Sequence, residues 1–372
     1  MRVCGKCLIP ETAESITFDE KGVCNVCRAA EVKQNIDWKT RKNLLGELIE
    51  THRGKGTWDC IVPFSGWKDS VFTLHYLVKE YGIKPLVVTF DHGLFRPEHI
   101  QRQYRIIKSI GADWIRVSLN WKVQRILMLI AFKRKTDFCW PCHIGCFSVP
   151  AQVALEKKIP LTFFGEPSSE YTAYASYSEI EKRDEVMLNR FINLGYNAED
   201  MALITDLDIR ELSPLVFPPK KSLDEIGYLP VCLGSFIPWD TQKQTDIIKK
   251  EIGWKGDIVE GAPSDFDKVE CMAQGSRDFC KFAKRGFGRT AHQVSLELRR
   301  NRMKKEEARE LIDIYDGKRP ASLDFMLKVL GISEDEFMKI LEEQVIDPYV
   351  FQKGYSIGEE LSSMKTWKEW FP

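Results

Sequence analysis

A short apolar run, DCIVPF at 59–64, passes directly into Ser65-Gly66-Trp67-Lys68-Asp69-Ser70, and apolar side chains then recur at helical spacing through Val71, Leu74, Leu77 and Val78. Strand, tight loop and helix in immediate succession point to an α/β architecture. The alternation continues: Pro85 to Phe90 reads as a second strand, Pro97 to Ile110 as a helix and Trp114 to Val117 as a third strand. Cys146 to Lys157 reads as a helix and Leu161 to Phe164 as a fourth strand. Short apolar strands separated by helices predict a doubly wound parallel sheet. Ligands of such sheets bind beyond the carboxyl ends of the strands.

The loop between the first strand and its helix carries phosphate-binding chemistry. A turn of this kind aims backbone N–H groups and the helix dipole at one point, where an anion is stabilised. Gly66 permits close backbone approach, Ser65 and Ser70 offer hydroxyls, and Lys68 supplies a positive charge. The GxxxxGK[ST] spacing of a Walker A loop is missing. Gly165 and Glu166 follow the fourth strand and fall at the same edge of the sheet. Glu166 and Glu170 suit magnesium binding or the positioning of substrate or ammonia; a solvated loop is the plainer reading.

Eleven cysteines are many for a reducing compartment, where clustered thiols are better read as metal ligands than as disulfides. Cys4-x2-Cys7 and Cys24-x2-Cys27, 16 residues apart, read as a four-thiolate zinc ribbon with a structural role. A second group, Cys139, Cys142, His143 and Cys146, suits zinc or part of an iron–sulfur cluster, or is a structured turn with buried thiols before a helix.

At 372 residues the chain has room for two or three domains. We divide it into a zinc ribbon (1–30), a helical linker (31–56, with one polar helix over 31–52), the sheet domain (57–245, with an irregular insertion at about 170–225) and a helical C-terminal region (246–372). That last region has helices at Lys304 to Asp316, Ser322 to Val329 and Glu334 to Glu343. Lys284, Arg285 and Arg289 flank a Gly-Phe-Gly turn before a helix. They read as a cradle for a diphosphate or carboxylate, as a nucleic-acid patch, or as a solvated charged face. His292 reads as structural. The 54 basic and 54 acidic side chains cancel, which speaks against nucleic acid as the main partner. No apolar run is long enough to span a bilayer, and the start, MRVCGKCLIP, lacks a signal-peptide core. A cytoplasmic protein without a membrane partner is expected.

SGWKDS resembles the SGGxDS loop of the PP-loop ATP pyrophosphatases (adenine nucleotide alpha hydrolase-like), which split ATP between the α- and β-phosphates and form adenylates. The resemblance implies that Ser65, Gly66, Lys68 and Ser70 hold the pyrophosphate, while Asp69 organises the loop or a magnesium ion. It also implies that Phe90 and Asp91, at the end of the second strand, face the nucleoside. Trp67 stands where the family has a second glycine, so a demand for positive φ there would strain it. By resemblance to sulfur-transferring relatives, Cys232 is the distant partner of Cys139 and Cys142.

MRVCGKCLIPET with its CxxC paired to that at Cys24 and Cys27, DCIVPFSGWKDS, FCWPCHIG, FFGEPSSE, IPWD and KFAKRGFGRTAHQVSLELRRNRMKKEEARELIDIYDG are similar over nearly the whole chain to the N-acetyl sugar amidotransferases of bacterial surface-polysaccharide (LPS, O-antigen) biosynthesis. That resemblance implies an ATP-dependent conversion of a nucleotide-linked sugar's acetamido group to an acetamidino group. Ammonia would come from a glutaminase subunit with a cyclase-like barrel subunit. Lys68, Asp69 and Glu166 are the candidate catalytic residues. Glu170, Trp239, Asp240, Arg285 and Arg289 are the candidate substrate contacts, and ATP, magnesium and zinc are the expected cofactors. The competing readings are a tRNA sulfur transferase with an iron–sulfur cluster and a scaffold that lost ATP binding through Trp67.

Overall fold

The computed structural model describes residues 1–170, 177–185, 188 and 194–351. A cysteine-rich lobe leads into α1 (Asn25–Lys33) and α2 (Trp38–His52). The alternation follows: β1 (Cys60–Pro63), α3 (Lys68–Tyr81), β2 (Pro85–Asp91), α4 (Pro97–Ile110), β3 (Asp113–Ser118), α5 (Trp121–Lys135), α6 (Trp140–Lys157) and β4 (Leu161–Phe164). Beyond α7 (Ala198–Thr205) and α8 (Lys220–Glu225) come β5 (Leu229–Cys232) and α9 (Thr241–Ile252). The C-terminal part contains α10 (Gln274–Arg285), α11 (Arg289–Arg299), α12 (Lys305–Tyr315), α13 (Ser322–Leu330) and α14 (Glu334–Glu342). Parts of the expected insertion, and 352–372 of the C-terminal region, lie outside the described residues.

The sheet has five parallel strands in the order β3-β2-β1-β4-β5. From β1 the chain builds outward to β2 and β3, then crosses to β4 and β5 on the other side. The direction of winding reverses between β1 and β4, and such a reversal opens a crevice at the carboxyl ends of the two strands. Both faces of the sheet are covered, as strands apolar on both sides require. Cys60, Val62 and Val87 point into a core with α3 and α4, through Val71, Leu74 and Ile106. Ile61, Leu86, Val88 and Phe90 point the other way, onto Val123 and Leu127 of α5 and Ile144 and Val153 of α6. Each fully buried Leu or Phe contributes about 1.5–3 kcal/mol.

Three expectations need correction. The polar helix expected over 31–52 is two helices, because Asp37 caps a new one by accepting from the Lys39 and Thr40 N–H groups. In α2, Leu45 and Ile49 are buried whereas Leu44 is exposed, so this helix packs on the sheet domain. The helix expected from Cys146 begins at Trp140, with Pro141 in its first turn where proline is tolerated. β5 and α5 were not anticipated. β5 is only four residues long and contains Pro230, which an edge strand accepts.

Candidate active site

Beyond β1 the chain turns sharply. Gly66 sits at φ +79°, and a Cβ there would stand 2.6 Å from Gln103 Cγ and 2.7 Å from His99 Nε2. Both of these α4 side chains donate to the Ser65 carbonyl, at 2.8 Å from His99 and 2.6 Å from Gln103. The Trp254 indole N–H donates to the Gly66 carbonyl at 3.2 Å. The turn's N–H groups meet the two hydroxyls: Gly66 donates to Ser70 Oγ at 3.1 Å and Trp67 to Ser65 Oγ at 3.2 Å. The loop is thus preassembled at the N-terminus of α3, an arrangement suited to an anion. Gly66→Ala is expected to cost about 1–3 kcal/mol and to weaken nucleotide binding, read by thermal melting with and without ATP. An unchanged melting temperature would contradict this picture of the turn.

Positive φ therefore falls on Gly66. Trp67 has φ −72° and ψ 158°, so its bulk strains nothing in the backbone. Its ring lies 3.8 Å from Lys68 Nζ and 3.8 Å from Lys268 Nζ, each measured to the ring centroid. Its indole N–H donates to the Phe266 carbonyl at 2.8 Å.

Lys68 is buried, and its ammonium is 2.8 Å from Asp69 and 3.7 Å from Asp267. Burial opposes its charge, but Asp69, Glu166 and Asp267 outweigh that and hold its pKa above the ordinary value. Burial pushes Asp69 up against the pull of Lys68. The Asp267 carboxyl is also opposed by burial, yet Lys68 and Arg289 hold it below the usual range. An ion-pair chain continues from Asp267 to Arg289 (3.5 Å) and from Arg289 to Asp278 (2.7 Å). Glu166 shares this field, and its carboxylate accepts from Thr241 Oγ1 at 3.4 Å. Gly165 brings β4 against α3, since a Cβ there would lie 3.0 Å from the Asp69 carbonyl oxygen and 2.8 Å from Thr73 Oγ1.

Lys68, Asp69, Glu166, Gly165, Ser65 and Ser70 therefore gather at the β1/β4 crevice. The other sequence candidates divide. The Phe90 ring is buried against α6, where a Cβ on Gly145 would lie 2.4 Å from it, so only the strand end is left to face a nucleoside. Asp91 pairs with Arg116 at 2.7 Å. Glu170 is a buried clamp held by Lys33, Tyr177 and Arg300. Trp239 and Asp240 join that group: the Trp239 carbonyl accepts from Lys33 at 2.8 Å, and Asp240 pairs with Arg302 at 3.0 Å. Arg285 and Arg289 lie apart from them, around a different cavity.

Residues 263–362 match the family described as "LPS biosynthesis protein WbpG-like, C-terminal domain". The chain thus carries a WbpG-like C-terminal domain over these residues. It is also 28% identical over 104 residues to an uncharacterized protein of Methanocaldococcus jannaschii; the match covers 28% of this chain and 37% of the relative. Two solved structures are similar to it. One is the U34-tRNA thiolase NcsA from Methanococcus maripaludis with its [4Fe-4S] cluster, at 16% identity and TM-score 0.25, covering 67% of this chain and 82% of that one. The other is NMN synthetase from Francisella tularensis, at 12% identity and TM-score 0.26, covering 59% and 86%. Scores this low say nothing of chemistry.

The WbpG-like domain places Asp267 beside Lys68 and Lys268 over the Trp67 ring, with Arg289 behind Asp267. Asp267 and Lys268 were missed in the sequence because they lie in a coil without periodicity. It also supplies Phe287 and Ala291, on which the N-terminal cysteine lobe packs. There Cys4, Cys7, Cys24 and Cys27 are buried with their sulfurs within 4.8 Å of one another. The Cys4–Cys27 and Cys7–Cys24 separations are 3.9 and 3.6 Å, which fits four thiolates around one tetrahedral ion with metal–sulfur bonds of about 2.3 Å. Among the described residues this is the one group of three or more such ligands that converges.

The second cysteine group is arranged otherwise than expected. Cys139 caps α6, and Cys142 bonds to Cys146 one turn on; that bond pushes the Cys142 thiol up and the Cys146 thiol down. The distant cysteine felt by Cys139 and Cys142 is Cys271, from the WbpG-like domain. Cys232 instead ends β5, where Arg183 Nε reaches its sulfur at 3.1 Å and Glu181 lies 3.7 Å away. The expected trio of Cys139, Cys142 and Cys232 does not assemble. Among the described residues no helix is long and apolar enough to cross a membrane.

Proposed function

We propose that this protein is an ATP-dependent amidotransferase of LPS biosynthesis that converts the acetamido group of a nucleotide-linked sugar to an acetamidino group. The observation carrying this reading is the contact of the WbpG-like domain with the phosphate loop: Asp267 faces Lys68 across 3.7 Å. A domain typical of LPS biosynthesis proteins thus borders the place where a nucleotide's phosphates would sit.

The chemistry needs few groups. An amide carbon is a poor electrophile and its oxygen a poor leaving group. Attack of the amide oxygen on the α-phosphorus of ATP expels pyrophosphate and leaves an adenylated imidate. Ammonia then adds to the carbon, the C–O bond breaks and AMP departs with the oxygen. The Ser65–Ser70 loop and Lys68 bind the leaving pyrophosphate, by positioning and charge stabilisation. Asp69 and Glu166 would hold magnesium together with the nucleotide's own phosphates, since that ion is usually bound by one or two carboxylates plus phosphate oxygens. The four N-terminal thiolates would hold zinc in a structural role. A glutaminase partner with a cyclase-like barrel subunit delivers the ammonia.

Incubation with ATP, ammonium and a panel of nucleotide-linked N-acetyl sugars should give AMP and pyrophosphate only when a suitable sugar is present. Release of ADP and phosphate, or AMP formation that ignores every sugar, would refute the reading.

A further inference from the structure

A cavity of about 190 Å³ lies between the cysteine lobe, the end of α5, and α10 and α11. Six basic side chains line it, Lys135, Arg277, Lys281, Lys284, Arg285 and Arg289, against the acidic Glu14, Asp137 and Asp278. Three of the six already face carboxylates: Arg277 with Asp137 (3.4 Å), Arg285 with Glu14 (2.8 Å) and Arg289 with Asp278 (2.7 Å). Lys281 and Lys284 differ, because their acceptors are neutral. Lys281 Nζ meets His292 Nε2 at 2.7 Å, and Lys284 Nζ donates to the Lys135 carbonyl at 2.9 Å. Charge held away from water without a counter-charge is costly. Burial pushes both ammonium groups down, Lys281 to about 7; Arg289 and Arg277 push Lys281 the same way against Asp278 and Glu14, and Arg285 and Lys135 push Lys284 against Asp137 and Glu14. An entering anion would supply the missing partner.

We propose that this cavity is the subsite for the diphosphate of the nucleotide-linked substrate, an assignment that rests on the function proposed above. Its size is below the ~300–1,000 Å³ of sites for drug-sized ligands, so it takes a compact anion rather than a whole nucleotide sugar. A neighbouring cavity of about 600 Å³ shares Asp278 and Arg289 as a wall and adds Phe279, Ile314, Tyr315 and Pro320. It leaves room for the sugar or nucleoside. Arg289 links the subsite to the 65–70 loop through Asp267 and Lys68. The cysteine lobe closes the outer wall: Ile9, Ala13 and Ile16 line it, Arg285 donates to the Thr12 carbonyl, and the Thr12 hydroxyl donates to the Arg285 carbonyl.

The test is calorimetric titration with inorganic pyrophosphate of the wild type, a Lys281→Met/Lys284→Met variant and a Lys68→Met variant. Wild-type protein should show two sites. The double variant, which removes both charges and keeps the side-chain volume, should lose one site by at least tenfold and keep the other. Lys68→Met should do the reverse. Glu14→Gln, which removes the carboxylate facing Arg285 and leaves its contact with the Thr12 carbonyl, should tighten the first site several-fold. A double variant that binds like wild type, or complete loss of binding in Lys68→Met alone, overturns the proposal. Pyrophosphate bound at Lys281 and Lys284 by a protein that amidinates no sugar would keep the anion site and remove the function on which its substrate was assigned.

Discussion

Replacing Cys7 and Cys24 by serine, or stripping the metal with a strong chelator, will detach the N-terminal lobe. The lobe has almost no core of its own: its buried apolar residues are the four cysteines, Ile9 and Val26, and it leans on Phe287 and Ala291 of the WbpG-like domain. Segments this small need a metal or another staple to fold. Structural zinc supplies on the order of 10–16 kcal/mol in isolated peptides, and that binding energy is folding energy. Amide exchange should accelerate by orders of magnitude over 1–30 and rise over 281–292, while the sheet stays protected. As purified, the protein should carry about one zinc per chain, with no absorption near 400 nm. Iron with sulfide and a 400 nm band would instead put a cluster on the thiols and raise the tRNA sulfur transferase reading.

Lys68→Ala is expected to lower turnover by roughly 10²-fold or more, the usual worth of one preorganised donor facing developing charge. It should also lower stability. Lys68 is the cation between Asp69 and Asp267, and breaking a buried pair by removing one partner typically costs about 3–5 kcal/mol. The two effects separate in Lys68→Ala/Asp267→Asn, where one uncompensated carboxylate is gone. Melting temperature should partly recover in the double variant while turnover stays low. Full activity in either variant would remove Lys68 from the chemistry.

The sheet and the turn that follows its first strand were legible because their signals are local. Apolar runs bounded by turns mark β1 to β4, and the strand–loop–helix succession places Ser65 to Ser70 at a carboxyl edge whatever the rest of the chain does. The spacing of the four N-terminal cysteines foretold their convergence for the same reason. What could not be read is what distant segments do to one another. Asp267 reaches Lys68 from a coil about two hundred residues away, and no periodicity foretells it. Glu170 looked like a ligand in a loop and is a clamp between Lys33 and Arg300. Cys232 was implied by resemblance to be a partner for Cys139, but β5 places it beside Arg183. Trp67 looked like a strained replacement for glycine, but the positive φ belongs to Gly66, its neighbour.

The central claim is that the amide oxygen of the sugar is activated as an adenylate. It is tested most directly by labelling the acetamido carbonyl with ¹⁸O and following the reaction by phosphorus NMR and mass spectrometry. The account predicts that the label leaves the sugar and appears in the phosphate of AMP, one atom per amidine formed. Label found in water or in inorganic phosphate, or retained on the sugar while ATP is consumed, would contradict it.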